Sequence, residues 1–201
     1  MLNGNASLPY TALLTCHPEI HNPAVHGIEV RICSMQGGVL ALTYVLKGDI
    51  ARLRIASLRQ ARQADRLWQH TCFEAFVSTK GSADYYEFNF APSGEWAAYS
   101  FRRYRDGSPL IDAELAPQIA IRDGRDRLEL DATVRTDRLA IIRPPSVLRL
   151  GLSAVLEAKG GILSYWALKH PPGKPDFHHS DSFALEFVLD KAPVDALSAE
   201  K

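Results

Sequence analysis

Apolar residues along this chain recur mostly at every second position, in short runs that end at glycine, proline or small polar residues. YTALLTC (10–16), GIEVRIC (27–33) and VLALTYVLKG (39–48) come first, and Gly37–Gly38 between the last two is a hairpin signal. FEAFVST, DYYEFNFA and EWAAYSFRRY follow within residues 73–104 as a meander, with Pro92–Ser93–Gly94 turning the chain between the last two. QIAIRDGRDRLELDATV reads as a hairpin about Asp123–Gly124. Its second arm sets Leu128, Leu130, Ala132 and Val134 against Glu129, Asp131, Thr133 and Arg135. After Pro144–Pro145, VLRLGLSAVLEA alternates again. ILSYWALK follows Gly160–Gly161, and the loop HPPGKPDFHHSD leads into SFALEFVL.

This pattern predicts an all-β chain of about ten to twelve short strands, folded as a single-domain antiparallel β-sandwich. The polar, Arg-rich segment SLRQARQADRLW (57–68) follows neither period and is expected to be a long loop. The domain is placed at residues 10–189, after an N-terminal extension of residues 1–9. A small, polar tail at 190–201 is expected to fray.

Composition narrows the function classes. Lys plus Arg equals Asp plus Glu at 23 each, so no electrostatic footprint for nucleic acid or an anionic membrane is expected. Cys16, Cys33 and Cys72 form neither a disulfide framework nor a zinc-type spacing. They read as thiols of a reducing compartment. The first residues lack a basic stretch followed by an apolar one, and no run is apolar and long enough to span a bilayer. A cytoplasmic location is the expectation.

The candidate chemistry lies between Leu67 and Asp106, where aromatic, carboxylate and guanidinium residues are dense. Phe73, Ala75 and Val77 face one way on their strand, so Glu74 faces the other, beside Phe76. With Trp68 just before the strand, this suits either a sugar, the indole stacking on a ring and the carboxylate binding hydroxyls, or a structural Glu–Arg pair beside a packing indole. Arg103 or Arg105 is the expected cationic partner. Tyr85, Glu87 and Asn89 form a polar stripe on the next strand, which serves a ligand or simply solvent. Glu74 with Glu87 is also the pair a glycosidase would need. In the last loop, His170, Asp176, His178 and His179 match no metal-binding spacing, and no metal or cofactor is expected.

The order LWQHTCFEAFV, YYEFNFAPSGEWAAYSFRRYRDG and SYWALKHPPGKPDFHHSDSFALEF resembles the DOMON-like bacterial proteins, over roughly residues 10–189. That superfamily includes the family 9 carbohydrate-binding modules and the haem- or sugar-binding DOMON domains. The resemblance implies a jelly-roll-type sandwich that binds a small polar, sugar-like ligand without catalysis. It also implies that Trp68 and Trp166 sandwich a sugar while Glu74 and Arg103 or Arg105 bind its hydroxyls, with Glu87 and Asn89 close by. The haem-binding branch uses an axial Met with His or Lys. Here that implies Met35 with His170, His178 or Lys169, in an electron-transfer domain.

Overall fold

The computed structural model describes residues 9–20, 22–143 and 145–189. The expected extension, apart from Pro9, and the expected fraying tail lie outside the described residues. The strands are β1 (Tyr10–Cys16), β2 (Val25–Met35), β3 (Val39–Gly48), β4 (Cys72–Thr79), β5 (Tyr85–Phe90) and β6 (Trp96–Arg103). They continue with β7 (Asp106–Pro109), β8 (Ile119–Asp123), β9 (Arg127–Arg135), β10 (Ser146–Glu157), β11 (Leu163–Ala167) and β12 (Leu185–Leu189).

The first sheet runs β1-β2-β3-β9-β8 and the second β7-β6-β5-β4-β10-β11, with β12 beside β11 on the same flank of β10. A short antiparallel contact, Thr15↔Ala167 and Cys16↔Trp166, joins them along one side. All strand pairs are antiparallel, as in the expected β-sandwich. Gly37 and Gly38 both have positive φ in the β2–β3 turn, a conformation that costs glycine little.

The two sheets differ in how they meet water. On β2 the buried residues are Val25, Ile28, Val30 and Ile32, while Glu29 and Arg31 stay on the outer face and pair at 3.0 Å. The second sheet is buried on both faces: every residue of β5 is buried, as are all of β4 except Thr79. Phe73, Ala75, Val77, Phe88, Phe90 and Leu152 fill the space between the sheets. Each of these side chains larger than alanine contributes about 1.5–3 kcal/mol by leaving water.

One polar contact crosses this core. Tyr44, on β3 of the first sheet, is fully buried and donates its hydroxyl to the Glu74 carbonyl of the second sheet at 2.7 Å. It therefore fixes the spacing of the sheets at the strand that carries Glu74. Tyr44→Phe keeps the ring and deletes this bond, so stability in urea denaturation should fall by about 1–2 kcal/mol. An unchanged midpoint would show that the hydroxyl bears no such load.

Candidate functional site

The site is built on the outer face of the second sheet. Alternation that sends Phe73, Ala75 and Val77 inward turns Glu74 and Phe76 outward, and the same rule turns out Tyr85, Glu87 and Asn89 from β5. Tyr99 and Phe101 of β6, Ser153 and Val155 of β10 and Tyr165 of β11 share that face. The polar stripe is not solvated: Glu74 is 2% exposed, Glu87 5% and Asn89 0%. Two irregular segments, 53–71 and 168–184, cover it. The cleft left between them has a volume of about 510 Å³.

The first wall is pinned residue by residue. Gln63 forms a parallel bridge with Trp96, and Ala64 N–H donates to the Trp96 carbonyl at 2.8 Å. Asp65 then accepts the Tyr99 hydroxyl at 2.5 Å and the Arg66 N–H at 2.8 Å. Arg66 is left-handed (φ 59°) and opens a 3-10 turn, Leu67–Gln69, that holds Trp68 at the cleft with 47% of its surface exposed. Just beyond, Glu157 takes His70 at 2.7 Å and Arg54 at 3.0 Å.

The opposite wall carries Pro175, Phe177 and His178. Asp176 accepts Arg105 Nη2 and the Tyr104 hydroxyl, each at 2.9 Å. Arg105 N–H donates to the Tyr85 oxygen at 3.1 Å, which leaves the Tyr85 proton for His178 Nδ1 at 3.0 Å. The imidazole then carries its own hydrogen on Nε2, facing Glu87 Oε2 at 3.6 Å. Among the described residues Arg66 and Arg105 are the only non-glycines with left-handed φ, and both line the cleft. Backbone strain of this kind gathers where a surface must be held in one shape.

Electrostatics at the floor are unusual. Glu74 accepts Ser153 Oγ at 3.1 Å on Oε2, while its Oε1 has no hydrogen-bond partner among the described residues and lines the cleft. Glu87 accepts Asn89 Nδ2 at 2.7 Å on Oε1. Burial pushes both carboxyls up: Glu87 to about 7, and Glu74 well above the ordinary range, with the Glu87 charge as its second cause. Burial, and then the Arg105 charge, pull His178 down to about 4. With His178 neutral above about pH 4 and Glu87 keeping its proton up to about pH 7, the Glu87–His178 contact is not an ion pair.

Of the residues expected from sequence, Trp68, Glu74, Glu87 and Arg105 meet in this cleft. Asn89 lies behind Glu87, sealed from solvent, and orients it. Trp166 does not join them. Its ring points between the sheets, 7% exposed, and its Nε1–H donates to Ser164 Oγ at 3.3 Å. Its outward neighbour Tyr165 lines the cleft instead.

Arg103 is also elsewhere. A bulge between Phe101 and Arg103 breaks the register, and its guanidinium pairs with Asp106 at 3.0 Å. The expected haem ligands are not brought together: Met35 is exposed on the first sheet, whereas His178 lies over the second, and His170 Nε2 is held by the Thr15 carbonyl at 2.9 Å. Asp65, Ser153 and Tyr165 escaped the sequence reading. Alternation alone opposed Tyr165 to Trp166 without saying which one faced the core.

The raised carboxyls predict a pH profile for stability. Between pH 4.5 and 7 the folded chain holds protons on Glu87 and Glu74 that the unfolded chain releases, so these groups lower stability as pH rises. His178 acts oppositely from about pH 4 to 6.5, where the unfolded chain binds the extra proton. Above 6.5 only the carboxyl effect remains. From pH 6.5 to 8, Tm should fall: Glu87 alone accounts for about 1 kcal/mol, roughly 2–4 °C for a domain of this size, and Glu74 adds to the fall in the same direction. The Glu74→Gln/Glu87→Gln variant should flatten that limb; an equal fall in both proteins would show that other groups cause it.

No protein-family model matches the chain, and no curated protein matches it in sequence. Solved structures do match its fold. A candidate carbohydrate-binding protein from Bacteroides uniformis aligns with a TM-score of 0.63 at 16% identity, over 85% of this chain and 82% of that one. A family 9 carbohydrate-binding module from Caldicellulosiruptor kristjanssonii, solved with cellotriose, aligns with a TM-score of 0.56 at 9% identity, over 96% and 88%. At such identities the likeness is one of fold: an all-β sandwich of the kind carbohydrate-binding modules use.

Proposed function

We propose that this chain binds a carbohydrate in the cleft over its second sheet and does not transform it. The observation that carries the reading is Trp68, a half-exposed indole held by a pinned turn beside two buried carboxyls at the cleft floor. An aromatic face beside directional hydrogen-bonding groups matches a pyranose, which is apolar on its C–H faces and polar around its edge. Glu74 Oε1 is free for a hydroxyl. Arg105 retains Nη1 for another, since its Nε and Nη2 are engaged by Tyr104 and Asp176. The fold shared with a module solved with cellotriose supports the same reading.

Stacking on Trp68 should contribute about 1–2 kcal/mol, so a monosaccharide should bind weakly. Saturable quenching of tryptophan fluorescence by a mono- or disaccharide is the expected result, with Trp68→Ala weakening it about tenfold. Trp166→Ala should instead lower stability by about 3–5 kcal/mol, as a core truncation. A broad panel of soluble glycans without any response would defeat the proposal. Glycan turnover that disappears in Glu87→Gln would overturn its non-catalytic half.

A further inference from the structure

Four carboxylic acids are buried among the described residues: Glu74, Glu87, Glu95 and Glu157. Two have a guanidinium at hand, Arg62 on Glu95 and Arg54 on Glu157. The two at the floor of the cleft have none: no described Lys or Arg nitrogen lies within 4.0 Å of Glu74 or Glu87. A buried carboxylate needs a cation or a full set of donors, and this pair has neither.

The surroundings supply little of the missing charge: Arg105 is felt by Glu87 only from beyond 4.0 Å. From β4 and β5 the pair meets the Cys72 thiol, Asn89 and Tyr85, from β6 Tyr99, from β10 Ser153, and from the first sheet Tyr44 through the Glu74 carbonyl. Burial and the nearby carboxyls keep the Cys72 thiol protonated. Arg66 is matched to Asp65, and Arg105 to Asp176. Both rim cations thus have their own aspartate, and His178 is neutral. Around the pair the cleft is lined by Trp68, Phe76, Tyr99, Phe101, Tyr165 and Phe177, and aromatic rings attract a cation as well as a sugar.

From this unmatched pair, the open Glu74 Oε1 and the aromatic walls, we infer that the natural ligand brings the cation itself: a sugar bearing a protonated amine. The amine sits on Glu74 Oε1 and Glu87 Oε2 while the ring stacks on Trp68. This rests on the carbohydrate reading above and narrows it from sugars in general to amino sugars. Binding replaces the protons held by the floor carboxyls with an ammonium group, so protons leave as the ligand enters, and affinity rises with pH until the amine itself deprotonates.

The test titrates the full chain at about pH 7 with D-glucosamine, D-glucose and N-acetyl-D-glucosamine, by fluorescence and by calorimetry in buffers of different ionisation heat. Glucosamine should bind at least about tenfold more tightly than glucose, with proton release, and acetylation of the amine should abolish the advantage. In Glu87→Gln, and in Glu74→Gln/Glu87→Gln with an unchanged circular dichroism spectrum, the preference and the proton release should both vanish. Glucose binding as tightly as glucosamine would overturn this inference and leave the carbohydrate reading standing. No response to glucosamine while another glycan of the broad panel binds would overturn this inference alone, and silence across the whole panel would overturn both.

Discussion

The site exists because the second sheet is buried on both faces. A sheet that packs one face on a partner can leave the other in water, as the first sheet does with its Glu29–Arg31 and Arg122–Glu129 pairs. On the second sheet, Phe76, Tyr85, Phe101 and Tyr165 stand on the outer face and need cover of their own. That cover comes from irregular chain and not from helix or a third sheet. Irregular chain must satisfy its own backbone groups, and the segment at 59–64 does so by bonding to Ser93 and Trp96. A cover made this way is incomplete, and the opening in it is the cleft.

The same constraint explains the electrostatics. Glu74 and Glu87 lie mid-strand, so the backbone pins them where the cover is deepest, and no nearby position on β4 or β5 carries a cation. Glu157, at the end of β10, meets Arg54 and His70 because the covering segment crosses there. Position along the strand thus separates an acid that meets cations from two that have none within reach. Asn89, itself inaccessible, acts on the second kind: its amide commits one oxygen of Glu87 and leaves the other toward His178 and the cleft.

Much of the fold was legible because most of its strands obey a period of two, and β9 follows it without exception. The cleft was legible only in part. The parity of Glu74 and Glu87 follows from their apolar neighbours, and Trp68 stands out as the aromatic entering that strand. Whether an outward stripe meets water or a cover depends on segments 53–71 and 168–184, which have no period to read. For β11, where Tyr165 and Trp166 are both aromatic, alternation assigns opposite faces and cannot choose between them. Resemblance to tryptophan-sandwich modules placed Trp166 in the site, but the packing between the sheets claims it for the core. Arg103 failed for a different reason, since a bulge and a left-handed turn at Arg105 cancel the parity that strand counting assumes.

That turn also shows how rigidity reaches the cleft. Arg105 uses its backbone N–H on Tyr85 and its side chain on Asp176, while Asp176 accepts the His178 N–H at 3.1 Å. The β6–β7 turn, the outer face of β5 and the 168–184 segment are therefore one hydrogen-bonded unit, closed at Tyr85. Across the cleft, Asp65 ties Tyr99 to Arg66 and so to the turn bearing Trp68. Both walls are thus anchored to the floor strands by an aspartate, a tyrosine and a left-handed arginine. A weakly stacking ligand gains from such a frame, because little side-chain or backbone freedom remains to be lost when it binds.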